Sequence, residues 1–293
     1  MPTLIEKAAL DMFRKNNIFW KNSYFRNPNT KKSNQIWHLH KGSSSKNFVI
    51  FVHGTGNNAL FPQLALFKTL LDSGIQIFSF DLDGHGFHST STFDKDSLHT
   101  CLKNALDHFR SEFDFETIHL IGHSLGGIIV LLYLSMYTNV NIASASIVSA
   151  PININPNIRS FNEVLSIFHS CFLKQVPIYG MWGSLPSFGR FKRREFPVRL
   201  SSDATNGVFS YIQTIKEYLG QIEVLKKISQ IDVPVQLLYG EKDFIAPVDH
   251  GKEIQHRIKN SRLIKIEKEN HFTTFFSAIS EQHILEWIQN WKK

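Results

Sequence analysis

The sequence predicts an α/β protein with a mostly parallel central sheet flanked by helices. Two patterns carry that expectation: short runs rich in Ile, Val, Phe and Leu alternate with longer helical patterns from residue 48 onward, and nearly every run ends in Gly or polar residues. A third observation is one long stretch, between Pro151 and about Ile222, in which the rhythm stops.

The N-terminal segment MPTLIEKAALDMFRKNNIFW places Leu4, Ile5, Ala8, Met12 and Phe13 at helical spacing, so a short amphipathic helix docked on the body is expected. The alternative use of such a helix is contact with a membrane surface. Glu6, Asp11 and Arg14 interrupt any continuous apolar core of a secretion signal.

The β-like runs follow in order: NFVIFVHG (47–54), IQIFSFDLDG (75–84), TIHLIGHS (117–124), SASIVSAP (144–151), VQLLYGEKD (235–243) and RLIKIEKENH (262–271). In open α/β sheets the chemistry gathers beyond the carboxyl ends of strands. Those polar ends are where functional residues are sought.

Between Pro151 and Ile222 the chain carries prolines at 151, 156, 177, 186 and 197 and a helical pattern through Phe161, Val164, Leu165, Phe168 and Phe172. A helical cap over residues 151–222 is expected, inserted into a core made of 1–150 and 223–293. Its aromatic residues, among them Tyr179, Trp182, Phe188 and Phe191, suit the packed side of such helices.

Composition narrows the function. Hydrophobic residues make up 42% of the 293, enough to bury a large core, and no run of about 18 apolar residues marks a spanning helix. The net charge of +7 comes from scattered basic residues, with a single tight cluster at Arg190, Lys192, Arg193 and Arg194. A nucleic-acid partner is therefore not expected, whereas anionic substrates or peripheral membrane contact are compatible with it. Cys101 and Cys171 are too few for a disulfide scaffold and fit reduced thiols in the cytoplasm.

The motif carrying most information is Gly122-His123-Ser124-Leu125-Gly126, a G-x-S-x-G flanked by an apolar strand and the helical run LGGIIVLLYLSMY. A serine in such a strand-to-helix turn occupies a strained backbone, and residues two places either side come so close that only small side chains fit. Gly122 and Gly126 meet that need. Ser124 would stand at a helix N-terminus, where unpaired N–H groups favour developing negative charge, and the Leu125 N–H would be an oxyanion donor.

A serine hydroxyl needs a base, and the base needs an orienting partner. Here the chain resembles the α/β-hydrolase family, whose nucleophile, acid and histidine follow in that order, each on a loop after a strand. The resemblance covers roughly 48–151 and 222–291, and the esterase, monoacylglycerol-lipase and lysophospholipase-like branch looks closest. It implies Asp243 as the acid in VQLLYGEKDFIAP, with Glu241 as the alternative, and His271 as the base in KENHFTTF.

The same resemblance implies the Thr55 N–H as second oxyanion donor, in the loop His53-Gly54-Thr55, with His53 as a structural hydrogen-bonding residue. DLDGHGFHS at 81–89 resembles the family's D-x-x-G-x-G-x-S loop, with Asp83 where many relatives carry arginine; a paired-carboxylate metal site at Asp81 and Asp83 is the rival reading. The implied protein is a serine hydrolase of a small ester or lipid, requiring no metal or organic cofactor. Acyl transfer, thioester, amide or C–C cleavage with the same residues, or a ligand-binding homologue without turnover, stand as alternatives.

Overall fold

The computed structural model describes residues 4–27, 31–42, 45–55, 57–60, 64–86, 89–93, 98–137, 141–153, 215–219 and 224–291. The expected cap, with its aromatic residues and basic cluster, lies almost wholly outside them. At its C-terminal end, Ile215, Tyr218 and Leu219 are buried in the same core as the sheet.

Eight strands form one sheet: β1 (Phe19–Arg26), β2 (Ser33–His40), β3 (Asn47–Val52), β4 (Gln76–Phe80), β5 (Thr117–His123), β6 (Ser144–Val148), β7 (Val235–Gly240) and β8 (Ser261–Ile266). Their order across the sheet is β1-β2-β4-β3-β5-β6-β7-β8. The pairs β1–β2 and β2–β4 are antiparallel, and every pair from β4–β3 to β7–β8 is parallel. All six runs expected from the sequence are strands, each shorter than its run because the polar ends belong to loops.

The β1–β2 hairpin was not expected. Its first strand lies at the sheet edge and exposes most of its residues, so FWKNSYFR lacks the continuous apolar character that marks the other strands. Strand β2 (SNQIWHLH) is largely buried, and its signal is diluted by Asn34, Gln35 and His38. Asn34 and Gln35 bond buried polar groups of the 81–91 loop: the Asn34 amide donates to the Asp81 carbonyl at 2.9 Å, and the Gln35 N–H donates to Ser89 Oγ at 2.8 Å.

Helices cover both faces of the sheet, which is why the inner parallel strands β3 to β7 read as largely apolar runs, while the edge strand β8 keeps Arg262 and Lys265 among its apolar residues. On one face, Phe48, Ile50 and Val52 of β3 and Phe78 and Phe80 of β4 pack with helices α3 (Leu98–Glu112), α4 (Leu125–Met136) and α5 (Val248–Arg257). On the other, Val49 and Phe51 of β3 and Ile77 of β4 meet α1 (Leu4–Lys15), α2 (Leu64–Asp72) and α6 (Ala278–Asn290). The N-terminal helix docks through Ala9 and Phe13. No helix among the described residues is long and apolar enough to cross a membrane.

Helix α4 is exceptional because every residue from Leu125 to Ser135 is buried. It has no polar face to show, so its position is set by packing on β5 and its neighbours, and with it the position of the residue that precedes it. Ile129 is wholly buried there. Ile129→Ala is expected to remove about 2–5 kcal/mol of stability in urea titrations, whereas truncation of the exposed Phe19 should stay within about 0.5 kcal/mol.

Candidate active site

Four loops converge beyond the carboxyl ends of β3, β5, β7 and β8. Their placement follows from the sheet order: β5 is central, so its loop lies between that of β3 on one side and those of the strands beyond β6 on the other.

The turn after β5 holds Ser124 at φ 52 and ψ −118, a left-handed backbone that costs a non-glycine residue on the order of 1–3 kcal/mol. Its N–H donates to the Val148 carbonyl at 2.9 Å, and its own carbonyl accepts from Gly127 at 3.0 Å. The flanking glycines are steric requirements. A methyl group at Gly122 would stand 2.6 Å from the Gly126 oxygen, and one at Gly126 would stand 2.1 Å from the Val52 oxygen. Gly127, which the motif does not single out, is confined less severely: a methyl there would stand 2.9 Å from Ala150 Cβ.

Ser124, His271 and Asp243 are brought into one hydrogen-bonded series. The Ser124 hydroxyl lies 3.0 Å from His271 Nε2. His271 Nδ1 lies 2.9 and 3.1 Å from the two Asp243 carboxylate oxygens. A carboxylate only accepts, so Nδ1 carries the hydrogen and Nε2 presents its lone pair to the serine. All three are buried, at 7%, 3% and 2% exposure respectively, so little water competes for these bonds.

Asp243 is held from its own loop, where one of its oxygens accepts the N–H groups of Ile245 at 3.0 Å and Ala246 at 2.7 Å. Burial alone would raise its pKa; the facing His271, through charge and hydrogen bonding, the Ala246 N–H and the adjacent Ser149 hydroxyl outweigh it and hold the carboxyl below the ordinary aspartate value. Ser149 donates its N–H to the Leu238 carbonyl at 2.9 Å, whereas its hydroxyl has no partner of ordinary hydrogen-bond geometry. It too has a left-handed backbone, at φ 51. The alternative acid, Glu241, is instead paired at the surface with Lys265 Nζ at 2.9 Å.

The His271 loop is shaped by Asn270, a residue the sequence reading passed over. Its side-chain oxygen accepts the N–H groups of Phe272 at 3.1 Å and Thr273 at 3.0 Å, closing the turn that leads into the short helix Thr273–Phe276. Its one trace in the sequence is an Asn followed three places on by Thr, a turn pattern that gains meaning only once the loop is folded and Thr273 Oγ1 accepts the Asn270 N–H at 2.8 Å. The acid and histidine loops are joined by the Lys242 N–H donating to the Glu269 carbonyl at 2.8 Å. At Gly240 a methyl would stand 2.3 Å from Thr274 Oγ1.

Gly54 lies against the serine turn: a methyl there would stand 3.1 Å from Ser124 Cβ. Thr55 follows it and is exposed. His53 ties this loop to the next, since its Nδ1–H donates to the Gly54 carbonyl at 2.8 Å while Nε2 accepts the Leu82 N–H at 3.0 Å. Leu125 is the first residue of α4, where helix N–H groups have no partner in the preceding turn.

Asp81 and Asp83 do not face one another as ligands. One Asp81 oxygen accepts the Ala59 N–H at 2.9 Å and the other accepts from Ser89 at 2.8 Å; Asp83 accepts from the Asn34 amide at 2.9 Å. Both carboxylates brace loops. Among the described residues no group of three or more His, Cys, Asp or Glu is placed to hold a metal ion.

Residues 43–273 match the family described as serine aminopeptidase, S33. The chain belongs to this α/β-hydrolase family. It is 34% identical to protein phosphatase methylesterase 1 of Candida albicans over 101 residues, 33% of this chain and 28% of that protein. With the bifunctional esterase/perhydrolase of Acinetobacter calcoaceticus it shares 25% identity over 258 residues, covering 80% of this chain and 88% of the relative. An esterase from Pyrococcus furiosus superposes with a TM-score of 0.68 at 18% identity, covering 96% and 94% of the two chains. The α/β-hydrolase fold is thus shared along nearly the whole length.

Two buried histidines of this S33 chain make its stability sensitive to pH. Burial is the main cause in both: it holds His123 at a pKa of about 3, against 6.5 ordinarily, and His53 well below that ordinary value. The unfolded chain binds these protons more tightly, so the stability is present in full above pH of about 6.5 and is lost as pH falls from there. Each histidine contributes a slope of up to about 1.4 kcal/mol per pH unit. Asp243, also depressed, extends the loss below about pH 4. Urea midpoints measured from pH of about 8 to 5 are expected to fall on the acid side; a flat profile would contradict the assigned burial.

Proposed function

We propose that this chain is a serine hydrolase of carboxylic esters acting through an acyl-enzyme. The observation that carries the reading is the buried series Ser124–His271–Asp243 standing on a left-handed turn at a helix N-terminus.

In this reading His271 Nε2 takes the Ser124 proton as the hydroxyl attacks the carbonyl carbon. The oxyanion of the tetrahedral intermediate accepts the N–H groups of Leu125 and Thr55, fixed donors that need no reorganisation when charge develops. Collapse expels the alcohol, which takes the proton from His271. Water, deprotonated by the same nitrogen, then releases the acid. Asp243 keeps the hydrogen on Nδ1 throughout and stabilises the imidazolium that forms.

An apolar acyl chain, as in a monoacylglycerol or lysophospholipid, fits the aromatic residues next to the site. Phe244 and Phe272 directly follow Asp243 and His271, and Phe244 and Phe276 remain 42% and 38% exposed. The segment 151–222, expected as a cap, would with its aromatic residues and Arg190–Arg194 cluster complete the acyl and headgroup sites and bring the protein to lipid surfaces in the cytoplasm. Amide cleavage is the second reading, supported by the family's own description as serine aminopeptidases.

A panel of p-nitrophenyl esters with short to long acyl chains, set beside aminoacyl p-nitroanilides, separates the two; preference for long-chain esters is expected. Ser124→Ala should remove turnover by at least about 10⁴-fold while leaving the thermal midpoint in place, and retained turnover would refute the mechanism. Asp243→Asn should cost about 10⁴-fold in kcat, because an amide at this position can donate to Nδ1 and favours the wrong tautomer. Near-normal kcat would move the acid elsewhere.

A further inference from the structure

His123 is the one titratable member of the serine turn that the mechanism leaves unused. It closes β5, is 2% exposed, and its ring lies among three of the converging loops. Its ring centroid is 5.5 Å from that of His271, 4.9 Å from Phe275 and 6.1 Å from Phe272. Nε2 lies 3.4 Å from the His271 main-chain oxygen. Nδ1 has no hydrogen-bond partner, and a methyl group on Gly54 would stand 2.9 Å from it.

These contacts determine the tautomer. A carbonyl oxygen only accepts, so the bond to His271 requires the hydrogen on Nε2. Burial among apolar rings keeps the imidazole neutral, and a neutral imidazole has one hydrogen to place. Nδ1 is therefore a bare lone pair turned to the loop after β3, where the absence of a side chain at Gly54 makes room for it.

The placement matters because His271 reaches Ser124 from a strand three places away in the sheet. Asp243 aligns the far edge of its ring and Asn270 shapes the chain around it. Neither holds the His271 carbonyl. A base displaced by about 1 Å can lose on the order of 10²-fold in rate.

We propose that His123 is a positioning residue: its Nε2–H, donated to the His271 carbonyl, holds the base in place above Ser124, while its ring sets the spacing between the loops after β3 and β8. The inference rests on Ser124 and His271 being nucleophile and base.

The test compares His123→Gln, His123→Asn and His123→Leu. A glutamine amide reaches the place of Nε2, an asparagine amide the place of Nδ1, and leucine fills space without a donor. With p-nitrophenyl butyrate, His123→Leu and His123→Asn are expected to lose about 10²-fold in kcat with KM within about twofold, and His123→Gln to recover most of the loss. A residue that only filled space would give no such split between Gln and Asn. Near-normal kcat in His123→Leu, or Gln no better than Asn at equal thermal midpoint, would overturn the proposal.

Nitrogen-15 NMR of the imidazoles in the intact wild-type protein tests the same point without any substitution that risks unfolding. A neutral His123 hydrogenated at Nε2 supports the assignment, and one hydrogenated at Nδ1 overturns it. The two levels of inference fail separately: an active Ser124→Ala removes the hydrolase reading, whereas an inactive Ser124→Ala beside a fully active His123→Leu removes only the role of His123.

Discussion

The backbone of Ser124 is the constraint on which the rest depends. A non-glycine residue at φ 52 is held there only if its surroundings leave no alternative. The surroundings are β5 on one side, buried throughout its length, and α4 on the other, buried on every face of its first eleven residues. Neither element can shift without opening a dense core, so the turn between them must be tight. The three glycines follow from that tightness, since β3, β6 and the turn itself occupy the volume a side chain would need.

From this fixed point the other groups are reached by loops that hold one another. The His271 loop is braced by Asn270 and bonded to the Asp243 loop through Lys242 and Glu269, and the Asp243 carboxylate is seated on N–H groups of its own loop. His53 links the loop after β3 to the loop after β4, whose aspartates in turn bind backbone and side chains around them. Polar side chains that resemble ligands or catalysts in a one-dimensional reading are in several cases struts. Asp81 and Asp83 are examples, each buried and each spent on a neighbouring N–H, hydroxyl or amide, and His53 is the structural hydrogen-bonding residue expected of it. Buried polar groups without partners are costly, so such struts are what lets a site full of loops remain ordered.

Much of this architecture was legible from local pattern. Strands β3 to β7, buried almost throughout, announce themselves as apolar runs, and the half-exposed β8 shows in its Leu263, Ile264 and Ile266. The two that did not, β1 and β2, form the antiparallel edge, where an exposed strand and a polar-rich partner dilute the signal. The glycines at 122 and 126 were legible because the turn's steric demand is local in sequence. Gly127, Gly240 and Asn270 were not, because what confines or employs them comes from β6, from the His271 loop and from hydrogen bonds made only once that loop is folded.

By itself the sequence determined the order and kind of the main elements and the identity of the serine turn, because hydrophobic periodicity and glycine spacing act between near neighbours in the chain. It named His271 and Asp243 only through chain order and resemblance. The tertiary structure alone decided that the Asp243 carboxylate, and not Glu241, faces His271 Nδ1, and that His123 Nε2 lies 3.4 Å from the His271 carbonyl oxygen. The physical reason is distance along the chain: 147 residues separate Ser124 from His271, and only the sheet's register brings them to 3.0 Å.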